Sequence, residues 1–101
     1  MRSDRSLRVR GAVRTRLELV ASGRIWSHPV RVSIIDISAI GCRIDGVGLG
    51  EVGDCISLRL DRFNAPRGKI IWTDGASAGV SFDDELYPSI LETLIRQHKA
   101  V

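Results

Sequence analysis

The chain has 101 residues, 44% of them hydrophobic and 27% charged, which describes one soluble-type domain with one modest core. Disordered, collagenous and low-complexity classes are excluded by that balance. The net charge of +3 divides unevenly: residues 1–16 hold six arginines against Asp4, a net of +5, and the other 85 residues hold 9 basic and 11 acidic groups, a net of −2.

The N-terminal segment MRSDRSLRVR has a basic start but no apolar stretch behind it, so no secretory signal is expected. Residues 1–9 are expected to form a flexible basic arm, and residues 10–101 a single domain. The arm carries arginine and no lysine. Guanidinium is planar, permanently charged and forked, which suits phosphate oxygens and the O6/N7 edge of guanine.

From Leu17 onward short apolar runs alternate with turn residues. Leu17–Ala21 predicts a first strand, with Ser22-Gly23 as a turn and Arg24–Trp26 opening another piece. Val30, Val32 and Ile34 alternate with polar or outward positions, the period of a strand with one buried face. Asp36–Gly41 breaks that run, and Cys42–Asp45 is a short strand. Gly46, Gly48, Gly50 and Gly53 predict a loose loop. Ile56, Leu58 and Leu60 alternate again, and Asn64-Ala65-Pro66 marks a turn. Gly68–Thr73 and Ala78–Phe82 read as a hairpin around Asp74-Gly75. Tyr87, Ile90, Leu91, Leu94 and Ile95 form one apolar stripe at helical spacing, preceded by Asp83-Asp84-Glu85 as helix-start acids. Strands over about 16–83 and a helix over about 87–98 imply an all-β fold. It is a small six-stranded antiparallel barrel with a C-terminal α-helix, because closure removes sheet edges.

Catalytic and metal chemistry find no support. His28 precedes Pro29 at a turn and His98 ends the helix; neither has a partner at ligand spacing. Cys42 and Cys55 form no CxxC pair, and Cys42 on an alternating strand reads as a small core residue. No nucleophile-elbow, zinc-protease or phosphate-loop motif occurs. No run of 18 apolar residues is present, so no membrane insertion is expected. The chain is not expected to be an enzyme, and neither metal nor cofactor is implied.

Two short patterns remain: Arg10-Gly11-Ala12-Val13-Arg14, and Asp36-Ile37-Ser38-Ala39-Ile40-Gly41. By itself the second is an ordinary turn, with glycine taking positive φ. Together, followed by GKIIW, GVSF and a helix, they resemble the PilZ domain family over about residues 8–98. Arg10 and Arg14 match that family's RxxxR; Asp36, Ser38 and Gly41 match its [D/N]xSxxG. The resemblance implies a split-barrel fold and a non-catalytic cytoplasmic bacterial receptor. It would bind the second messenger cyclic di-GMP and pass the signal to a protein partner, as a monomer or weak dimer.

The residue chemistry is compatible with such a ligand. Arg10 and Arg14 offer forked cations for phosphate or guanine, and Asp36 an acceptor for guanine N1–H and N2–H₂. Ser38 offers a hydroxyl, and Gly41 would let the backbone approach the ligand. Arg8 and Arg16 are candidate additional contacts. Trp26 and Trp72 could stack on guanine, with core packing preferred for Trp72. Two alternatives stay open: a nucleic-acid-binding module using the arginine-rich arm, and a ligand-independent protein-interaction domain. An acidic body with 5% aromatic residues argues against nucleic acid, because stacking platforms are scarce.

Overall fold

The structure is a computed structural model that describes residues 13–100. The expected basic arm, with Arg8 and Arg10, therefore lies outside the described residues. Six strands follow in order: β1 (Thr15–Ile25), β2 (His28–Ile37), β3 (Gly41–Gly46), β4 (Cys55–Leu58), β5 (Arg67–Thr73) and β6 (Ser77–Phe82). A helix, α1 (Pro88–His98), completes the regular structure among the described residues. The strands close into an antiparallel barrel in the order β1-β2-β3-β6-β5-β4, with β4 returning to β1. This is the all-β barrel with a terminal helix that the alternation predicts.

The alternation builds the core. Leu17, Ala21 and Ile25 from β1 point inward beside Val32, Ile34 and Ile37 from β2. Ile44, Ile56, Leu58, Ile70 and Val80 complete the interior. Each fully buried aliphatic side chain of this kind contributes about 1.5–3 kcal/mol.

Several elements depart from the sequence expectation. Strand β1 runs unbroken through Ser22-Gly23 and ends at a turn centred on Trp26 and Ser27. Gly23 is there because β4 crosses close by: a Cβ at Gly23 would run into the Ser57 carbonyl oxygen. The glycine thus permits barrel closure instead of a turn. Strand β4 stops at Leu58, although Leu60 is buried. Beyond it, the Asp61 carboxylate accepts hydrogen bonds from the Phe63 and Asn64 amides at 2.8 Å and folds the chain back.

The glycine-rich loop is anchored by Leu49, which sits in the core. The Gly53 amide also donates to the Ile70 carbonyl at 2.8 Å. Tyr87 is 73% exposed at the N-cap of α1, so the apolar stripe begins at Ile90. No acidic residue lies in the first turn; Asp83 instead stands 4.0 Å from Lys69. The helix packs on β1 through buried Leu94, and Lys99 bridges to Leu17.

Candidate ligand cleft

Two interruptions of the ladder shape one corner of the barrel. Val30, Val32 and Ile34 alternate inward along β2, so residue 36 would face the core next. A register shift between Ile34 and Asp36 breaks that rhythm. Ile37 takes the inward position, fully buried, and the Asp36 carboxylate turns to the outer face with 18% of its side chain exposed. A second shift, between Ile70 and Trp72 in β5, leaves consecutive side chains Ile71 and Trp72 outside. Trp72 is therefore not a core residue. Its indole lies over Gly79 of β6, where any Cβ would strike the ring.

Between these features lies a cleft of about 270 Å³. Arg14, Ser38 and Gly41 line it on one side, and Ile71, Gly79 and Ser81 on the other. Arg14 precedes β1 and reaches across to Asp36, its Nε 3.2 Å from Asp36 Oδ1. The N–H does not align with that oxygen, so the contact is an ion pair without a formed hydrogen bond. Asp36 Oδ1 is buried and has no hydrogen-bond partner among the described residues. The Arg14 charge compensates the carboxylate, while the oxygen keeps capacity for a well-aligned donor. Arg16 is the cross-strand partner of Asp36 and is exposed. Asp36 is therefore ion-paired to Arg14 and opposite Arg16 in the ladder.

Ser38 and Gly41 have structural duties that motif spacing alone does not reveal. The Ile40 amide donates to Ser38 Oγ at 3.2 Å, and the Ser38 amide donates to the Gly41 carbonyl at 2.8 Å. Ser38 is buried and holds the β2–β3 turn closed. That turn is fastened to the end of β6 and the segment after it, because the Phe82 amide donates to Ile40 O and the Leu86 amide to Ala39 O. Gly41 is not at positive φ, contrary to the simple turn reading. It is required because a Cβ there would collide with the Val80 carbonyl oxygen across the β3–β6 pairing.

Cys42 forms part of the cleft floor. Burial pushes its thiol up to about 12, with the Asp36 charge adding to the rise and Arg14 opposing it. The thiol is thus protonated and inert at neutral pH. It serves as the packing residue that its place on an alternating strand predicts.

The structure brings together Arg14, Ser38 and Gly41 in the cleft, with Asp36 and Arg16 immediately behind Arg14. Arg8 and Arg10 lie outside the described residues. Trp26 lines a different cleft at the far end of β1. Sequence reasoning missed the opposite wall, Ile71, Gly79 and Ser81. It also did not detect the β2 bulge that exposes Asp36, although the step from Ile34 to Ile37 across the period of two is its signature.

No group of three or more His, Cys, Asp or Glu side chains among the described residues is placed to hold a metal ion. No helix among them is long and apolar enough to cross a membrane. The chain matches no family model, and no curated protein matches it significantly.

Proposed function

We propose that the chain is a non-catalytic bacterial receptor of the PilZ type, which binds cyclic di-GMP at the Arg14–Asp36 corner and signals to a protein partner in the cytoplasm. The observation that supports this most is Asp36 Oδ1, a buried acceptor that Arg14 Nε approaches at 3.2 Å without forming a hydrogen bond, beside a cleft. Guanine N1–H and N2–H₂ form a donor pair matched to a carboxylate. Arg14, released from Asp36, would turn its fork to a phosphodiester or to guanine O6/N7. Arg10, outside the described residues, would join it by its four-residue spacing. Arg8 and Arg16 are further candidates, Arg16 on the stronger footing of its pairing with Asp36.

The cleft volume of about 270 Å³ lies near the lower end of small-molecule sites, about 300–1,000 Å³. It would take part of such a ligand, and the arginine arm would cover the remainder on binding. Each charge-assisted hydrogen bond is worth about 1.5–3 kcal/mol, so a few offset the ordering of a short arm. Gly41 and Ser38 would act here chiefly by fixing the turn that presents Asp36.

Calorimetric titration with cyclic di-GMP tests the reading. The wild type is expected to give a saturating heat, and Arg10→Ala, Arg14→Ala and Asp36→Ala to weaken it strongly. A folded wild type that gives no heat sinks the proposal, and full affinity in both arginine variants moves the site elsewhere.

A further inference from the structure

The outer face of β1, β4 and β5 carries a second concentration of charge that the Arg14–Asp36 corner does not use. Arg24 pairs in register with Ser57, and Ser57 in turn with Arg67. The three therefore stand in one row across three strands, their side chains on the same outer face. Neighbouring Cα atoms in such a row are about 4.5–5.5 Å apart, so two guanidinium groups flank one hydroxyl within side-chain reach. Arg24 and Ser57 also line both of two adjoining clefts, of about 230 Å³ and 130 Å³. Arg59 borders the first and Arg67 the second. None of these three arginines has a carboxylate within 4.0 Å among the described residues.

Trp26 completes the smaller cleft. Its side chain is 62% exposed and its φ is +54°, a left-handed conformation uncommon for a bulky residue. Three contacts hold the turn. The Trp26 amide donates to Cys55 O at 2.9 Å, its indole Nε1 donates to Asp54 Oδ1 at 3.0 Å, and Arg24 donates to Ser27 O at 3.2 Å. The indole is thus oriented before any partner arrives, which lowers the entropy cost of using it.

We propose that this face docks a partner-protein segment that presents one carboxylate: it seats between Arg24 and Arg67 over the Ser57 hydroxyl, and a neighbouring apolar side chain lies on the Trp26 ring. Tryptophan and arginine dominate binding energy at protein interfaces. The closed barrel offers no strand edge, so recognition must go through side chains. A polynucleotide fits less well. Asp54 is bonded to the Trp26 indole and Asp83 borders the same cleft, so fixed negative charge stands where a run of phosphates would pass. A single carboxylate between the arginines avoids both.

This surface is independent of cyclic di-GMP, and its test separates the two proposals. A capped peptide with one glutamate beside one leucine in an otherwise uncharged sequence is titrated into isotope-labelled full-length protein. The indole N–H signal of Trp26, assigned by its loss in Trp26→Phe, is followed together with the backbone amides of Ser57 and Arg67. These signals are expected to move saturably, and to move equally in Arg14→Ala. Arg67→Gln is expected to weaken binding roughly threefold to fivefold, as for an exposed ion pair, and the Arg24→Gln/Arg67→Gln pair roughly tenfold to twenty-fivefold. Unmoved signals at millimolar peptide overturn the proposal, as does binding unchanged in the double variant. A larger response to a short oligothymidylate than to the peptide also overturns it and makes the face a nucleic-acid surface.

Discussion

The two ends of β1 use the same residue type in opposite ways. At its start, Arg14 pairs with one carboxylate, Asp36, which a bulge in β2 has turned outward and which Arg16 faces in register. At its end, Arg24 stands with Arg59 and Arg67 around a serine, with no paired carboxylate among the described residues. The first arrangement is compensated, so a ligand must exchange one partner for another. The second has no formed ion pair among the described residues, so an incoming carboxylate displaces no bound carboxylate. Arginine content alone does not distinguish them; the backbone geometry behind each cluster does.

The largest way to break the comparison is to remove the geometry behind the first cluster. Gly41→Ala drives a methyl into the Val80 carbonyl and is expected to cost about 1–3 kcal/mol, the range for overpacking. A lowered midpoint in urea with an unchanged slope checks it. Cyclic di-GMP binding should weaken along with the turn, whereas the Arg24–Ser57–Arg67 row should be unaffected. Loss at both ends would mean that the barrel is one mechanical unit.

Next in size is Asp36→Ala. Removing the acceptor is expected to weaken cyclic di-GMP about tenfold to a hundredfold, the equivalent of one charge-assisted hydrogen bond. Arg67→Gln is expected to leave that affinity unchanged. Calorimetry on the two variants side by side decides whether the ends are chemically separate.

The two cysteines sharpen the contrast more gently. Cys55 is partly exposed, in the row next to Ser57, and Cys42 is buried under the cleft. Iodoacetamide near neutral pH, followed by mass spectrometry, should label Cys55 and spare Cys42. The Cys42 thiol also sets an alkaline limit. Its folded value is raised to about 12 from an ordinary 9.0, so between those values the unfolded chain loses a proton that the folded chain keeps. Stability should therefore fall as pH rises through that window. Cys42→Ala should remove this part of the decline in thermal melts.

The smallest effect lies at the Trp26 turn. The Glu51 amide and then the Trp26 indole hold the Asp54 carboxyl below its usual range. A lowered carboxyl contributes stability above its unfolded value, and that contribution is lost as pH falls through the folded one. Asp54→Asn should flatten the acid limb of a melting series slightly, and should shift the Trp26 indole signal without touching the Arg14 corner.

Much of the barrel was readable from alternation, because each strand buries one face. The boundaries failed where a residue served a distant strand. Ser22-Gly23 has the composition of a turn, yet Gly23 is small because β4 passes over it. At the corner, Arg14, Asp36, Ser38 and Gly41, which the motif spacing singles out, lie close together. Their duties were less visible. Ser38 and Gly41 hold backbone in place, and the wall facing them comes from β5 and β6, whose approach no local pattern encodes. Trp72 reads as core within an apolar run, and only the register shift in β5 puts it outside.

Closure of the barrel also has a cost during synthesis. Strands β1, β2 and β3 form a meander from consecutive sequence, but the outer side of β1 waits for β4 and that of β3 waits for β6. Until Phe82 has left the ribosome, the nascent sheet therefore keeps an unpaired margin, with Ile34, Ile37 and Ile44 not yet enclosed. Such margins are where chains join one another. The interval between translating Gly46 and Phe82 is thus the period in which the nascent sheet is most open to pairing with another chain, and slow codons there should lower its soluble yield.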